Sequence, residues 1–104
     1  MQKTQFIDSI HSKSKISMTF FSKEDGRQLH RLCAPMDFGP SRRAHNKDDR
    51  YHLWDYESDN KNHVLSLLPD QIVAMEFLDQ NFDPIEFVTW QTNWFVSRDW
   101  GVLS

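Results

Sequence analysis

Four arginines, Arg31, Arg42, Arg43 and Arg50, stand within twenty residues of one another, and Tyr51 and His52 follow the last of them. Arginine suits phosphate because its planar fork donates two parallel hydrogen bonds. Aromatic rings beside such a group can stack on bases with little sequence preference. With His30, these residues form a candidate anion site. The plainer reading is a solvated strand edge whose charges block edge-to-edge pairing.

Other chemistries find less support. Catalysis needs a nucleophile beside a base, or two placed carboxylates. Cys33 has no activating motif near it, Asp48 and Asp49 are adjacent in a polar stretch, and the acids of the second half are spread singly. No catalytic residue is assigned and the chain is expected not to be an enzyme. His30 and Cys33 are the only compact metal-like pair, but strand residues three apart point to opposite faces. No metal or cofactor is expected. The three glycines, Gly26, Gly39 and Gly101, are too scattered for a phosphate-cradling loop. A lone cysteine excludes an internal disulfide and a multi-cysteine zinc site.

The net charge of −3 is unevenly spread. Residues 1–50 hold ten Lys/Arg against six Asp/Glu, and residues 51–104 hold two against nine. Such asymmetry can mark an anion-binding face or can vanish into a mixed surface once the chain folds. The start lacks the layout of a signal peptide and no apolar run reaches about 18 residues, so a cytoplasmic protein with no membrane contact is expected.

These side chains must be positioned by one domain, since 104 residues fit one. Phe6, Ile7 and Ile10 form the stripe of a short helix over residues 4–14, with Thr4 as its N-cap. KISMTFFS alternates as a strand and KEDG is a hairpin turn. RQLHRLCAP is a second strand that Pro35 should end, and residues 37–50 read as a long loop. YHLWDY and HVLSLL are strands around the turn SDNKN. Pro69-Asp70 is a tight break, and IVAMEFL resumes. IEFVTW and NWFVS read as a last hairpin. The result is one helix and about seven strands, the pattern of a small barrel or sandwich. IVAMEFL is apolar on both faces and therefore needs cover from the helix, the C-terminal hairpin or a second subunit.

Trp90 and Trp94 flank the turn of that last hairpin, and Trp100 follows. Tryptophan dominates many binding interfaces, so the cluster is a candidate interface, with a capped core as the alternative.

The order of signals resembles the WYL domain, a bacterial regulatory module on an Sm-like, SH3-type barrel. The resemblance rests on FIDSIHSKSKISMTFF, Asp25-Gly26, Arg31-Leu32-Cys33-Ala34-Pro35, Tyr51-His52-Leu53-Trp54, Leu65-Ser66-Leu67 and Asp70-Gln71-Ile72. It covers roughly residues 5–82. The namesake tripeptide is absent, Gln71 stands where the family often has Arg, and the helix-turn-helix domain usual in the family is missing. The resemblance implies a mainly β fold, a small SH3/Sm-like barrel over residues 5–82 with a short N-terminal helix, to which the pattern of IEFVTW and NWFVS adds a C-terminal β-hairpin and tail over residues 83–104. It implies a stand-alone, non-enzymatic module that senses an anionic ligand, a nucleotide or nucleic acid, and residue type and charge make Arg31, Arg50 and Tyr51 the candidate contacts, with Arg42, Arg43 and His52 in support. The alternative is a protein–protein adaptor or homodimer that uses Trp90, Trp94 and Trp100.

Overall fold

The computed structural model describes residues 2–58 and 62–104. Five strands form one antiparallel sheet in the order β4-β3-β2-β1-β5. They are β1 (Ser14–Ser22), β2 (Arg27–Pro40), β3 (Asp49–Asp55), β4 (Val64–Leu67) and β5 (Ile72–Asn81). One helix, α1 (Gln2–Ser12), precedes them, and a 3-10 turn at Pro69–Gln71 joins β4 to β5. The mainly β reading holds, but the described sheet has two edges and is not closed.

Local chemistry explains the elements. Phe6, Ser9 and Ile10 form the buried stripe of α1, which packs against β2. The helix starts two residues before Thr4, so Thr4 is interior and not a cap. It ends at Lys13, whose φ of 56° is the left-handed conformation that stops a helix. Lys13 O then accepts the N–H of Phe82, pinning the end of the sheet to the end of the helix. The β1–β2 turn needs Gly26 at φ 67°, and Gly26 donates to Ser22 O at 2.8 Å.

Pro35 does not end β2. The strand runs 14 residues, pairing with β1 up to Cys33 and with β3 from Cys33 onward. The register with β3 slips between Pro35 and Asp37, so Pro35 stands at a bulge where its missing N–H is tolerated. The extended β2 and the early start of β3 shorten the expected 37–50 loop to residues 41–48. Asp59–Lys61, the middle of the expected SDNKN turn, lie outside the described residues.

The C-terminal hairpin is a correction. Residues 82–104 hold no strand, only 3-10 turns at Pro84–Glu86 and Gly101–Leu103. Asp83 caps the first turn by accepting the N–H of Ile85. The apolar residues that mimic strand alternation are instead anchors. Phe82, Phe87, Val88 and Trp100 are buried. Phe87 stacks on Trp54 at 5.1 Å, and Phe82 meets Trp100 edge-on at 5.8 Å. The segment thus covers the Trp54 side of β3, whereas β5, the strand expected to need cover on both faces, has no buried residue and leaves Val73 exposed. About seven strands become five for the same reason.

Cys33 lies in the core, fully buried, and burial beside Asp55 and Glu57 pushes its thiol well up. The thiolate is the reactive form, so native Cys33 should resist thiol reagents at neutral pH and react once urea unfolds the chain. Rapid native labelling in a mass-spectrometric time course would contradict this packing. Burial also raises Tyr51, and raises Tyr56 to about 12. These acids stay neutral in the folded chain while the unfolded chain ionises, so their stability is intact below the unfolded values and lost as pH rises toward the folded ones. Arg98, lowered to about 10 by burial, acts in the opposite sense, one group against three. The urea midpoint is therefore expected to fall above about pH 10.

Candidate functional site

The bulge in β2 turns Asp37 inward, where it is 6% exposed. Its carboxylate accepts the backbone N–H of Phe95 and of Val96, each at 2.9 Å. Arg98 donates to the same carboxylate at 3.2 Å from a fully buried side chain. The rest of the guanidinium donates to Val96 O and Met36 O. Its Cζ lies over the Trp94 ring, 4.1 Å from the ring centre, and over that of Trp100 at 4.5 Å. Burying these charges is tolerable because the pair is matched and hydrogen-bonded throughout. The ion pair hangs the irregular C-terminal segment on the sheet.

That anchoring creates a groove of about 800 Å³. His52, Val64 and Ser66 of β3 and β4 line it, with Ser41, Arg42 and Arg43 from the loop after β2. Trp90, Asn93, Trp94 and Phe95 of the C-terminal segment complete it. Phe95 packs so closely on Gly39 that a Cβ there would lie 2.6 Å from its ring. Gly39→Ala is therefore expected to displace Phe95 and cost about 1–3 kcal/mol, readable in thermal unfolding.

His52 is locked. Its Nε2 faces the Gly39 carbonyl at 2.8 Å, which can only accept, so Nε2 carries the proton. Nδ1 then accepts from the Ser66 hydroxyl at 2.8 Å. Arg42 donates to Asn93 O at 2.6 Å and lies over the Phe95 ring at 4.1 Å. Lys47 braces the loop by donating to Ser41 O and Arg42 O. Arg43, in contrast, makes no hydrogen bond or ion pair among the described residues. Among the described residues Asp37 is the one acid lining the groove, and Arg98 already matches it. The lining is left with two guanidinium groups and exposed aromatic surface, since Trp90 is 40% and Phe95 45% exposed.

The expected residues divide. Arg42, Arg43 and His52 come together in the groove, with Trp90 and Trp94 of the expected interface. Arg31, Arg50 and Tyr51 do not line it. Tyr51 is a core residue, edge-on to Phe6 and Phe38 at 4.9 Å, and cannot stack on a ligand. Arg31 is paired with Asp55 at 3.4 Å. Arg50 pairs in register with Gly39, and its Nε is buried. Trp100 is a core plug whose Nε1–H donates to Ile10 O at 3.0 Å. Trp94 is half-buried and donates to Leu103 O.

His30 lies on the open face of the sheet between the hydroxyls of Ser17 and Thr19, at 2.7 and 2.8 Å, whereas Cys33 is in the core. Among the described residues no three His, Cys, Asp or Glu side chains converge as metal ligands. No helix of the described residues is long and apolar enough to cross a membrane.

Asp37 and Arg98 escaped the sequence reading. Asp37 looked like the start of a loop. Arg98 carried a signal in its isolation, as the only Lys or Arg between residues 62 and 104, set between two tryptophans. Comparison with protein-family models, curated proteins and solved structures returns no match for this chain.

Proposed function

We propose that the chain is a non-enzymatic binding module whose groove takes an anionic ligand bearing a flat ring, a nucleotide or a short stretch of single-stranded nucleic acid. One observation carries this reading. Arg42, Arg43 and Trp90 share a groove in which the one acid among the described residues is already neutralised. Arg43 supplies an unspent fork for phosphate. Trp90 supplies a face for a base. His52, with its proton fixed on Nε2, is part of the floor and holds β3 to β4 more than it reaches for a ligand.

The resemblance to the WYL domain supports a regulatory role for such binding. The small-barrel form of that family is supported by a β2 bent at its bulge and by β4 and β5, the two sheet edges, being joined by one tight turn. The ligand residues differ from those first expected, with Arg43 and Trp90 in place of Arg31, Arg50 and Tyr51.

The test is fluorescence anisotropy of labelled single-stranded DNA, RNA and a nucleotide at about 50 and 200 mM salt. Binding should weaken with salt, because phosphate contacts release counterions. Trp90→Ala should remove about 1–3 kcal/mol of stacking, roughly 5- to 150-fold in Kd. Arg43→Ala should weaken binding and flatten the salt dependence, and Arg31→Ala should change neither. Flat anisotropy with a stable dimer in light scattering would replace this reading with a protein partner.

A further inference from the structure

The sheet ends on one side at β5, ten residues long and paired only with β1. Alternate residues of an edge strand turn their N–H and C=O groups outward, and no described element takes those of β5. Proteins usually blunt such edges with charged side chains, Pro, bulges or brevity. The other edge, β4, has four residues. β5 has neither Lys nor Pro, and what guards it is its two acids, Glu76 and Asp79, and register shifts at either end of a regular stretch over residues 74–77. It exposes Val73 at 56%, while Met75 and Phe77 are only half-covered at the rim of the core. A further strand laid here would extend that apolar rim.

Charge says what kind of strand fits. Residues 62–97 contain no Lys or Arg but hold Asp70, Glu76, Asp79, Asp83 and Glu86. Glu76 and Asp79 are exposed on β5 itself, Glu76 opposite Ser17 in the regular stretch and Asp79 beyond the register shift that precedes Asn81. A second copy of β5 fits poorly. In the antiparallel register that overlaps Ile72–Leu78 fully, the two copies of Glu76 lie diagonal to each other on one face, about 7–8 Å apart. A strand with Lys or Arg opposite Glu76 and Asp79 turns repulsion into attraction. We propose that the outer edge of β5 is a docking site for an extended, basic-apolar segment of a partner protein, which adds to the sheet as a sixth, antiparallel strand. The groove is built from other elements, so this surface stands apart from the anion site.

The experiment uses the whole chain and three blocked, labelled nine-residue peptides. The first has Val and Thr alternating, with Lys at two positions three apart to meet Glu76 and Asp79. The second has Glu at those positions. The third is a shuffled order of the first. Anisotropy should show the Lys peptide binding at least tenfold more tightly than either of the others. Hydrogen exchange should show new protection confined to residues 72–81. The surface double variant Glu76→Lys, Asp79→Lys should invert the preference toward the Glu peptide. Equal binding of the three peptides, no binding, or protection elsewhere would overturn the proposal. So would self-association of the free chain with β5 already protected. None of these outcomes bears on oligonucleotide binding in the groove.

Discussion

Asp37→Ala is expected to lower the unfolding free energy by about 3–5 kcal/mol, the usual cost of leaving one half of a buried ion pair unmatched. For a domain whose whole stability is about 5–15 kcal/mol, that is severe. Three groups lose their acceptor at once: the Arg98 guanidinium and the N–H groups of Phe95 and Val96. Arg98→Met should cost less, about 1–3 kcal/mol, because Asp37 keeps two backbone donors. The double variant Asp37→Leu, Arg98→Met should recover part of the loss, since a well-packed apolar pair often matches a buried ionic one. Urea unfolding followed by tryptophan fluorescence reads all three. A cost below about 1 kcal/mol for Asp37→Ala would mean that the pair is not the anchor. The same variant should weaken ligand binding, because Phe95 and its neighbours form one side of the groove.

Trp100→Ala is the second large effect, again about 3–5 kcal/mol. Its ring is 4% exposed and touches Phe82, Trp94 and the Arg98 guanidinium. Removing it leaves a void beneath the C-terminal segment and an Ile10 carbonyl without its indole donor. For a chain of this size the expected fall in Tm exceeds about 10 °C. Trp100→Phe keeps most of the ring contacts and should lie between the variant and the parent. Trp90→Ala, on the exposed side of the groove, should leave Tm within a few degrees. Equal losses at Trp90 and Trp100 would contradict the distinction between plug and contact surface.

The strands from Ser14 to Leu78 were legible because alternation, Asp25-Gly26 and Pro69-Asp70 are local signals. The C-terminal segment was not. IEFVTW and NWFVS alternate like strands, but their apolar residues are spaced to reach separate sites on the sheet, and nothing local distinguishes the two cases. Pro35 misled for a related reason, since a bulge that tolerates proline depends on the partner strand. Half of the candidate groove was legible. Arg42, Arg43 and His52 were found by residue type. Tyr51 was misplaced because strand periodicity gives two faces without saying which is inside. The buried match of Asp37 with Arg98 joins residues 61 apart in the chain, a separation that no window along the sequence spans.

The strand order has a kinetic meaning. β1, β2, β3 and β4 are neighbours both in the chain and in the sheet, so three successive pairings each close only a short loop. One pairing breaks that pattern: Met18 meets Met75. Loop closure costs grow with the intervening length, and folding rates fall as contacts become less local. The chain can therefore zip from its first strand to its fourth before β5 swings back. The strand proposed as a docking edge is thus also expected to join the sheet last, and until it does the edge of β1 that it covers lies unpaired.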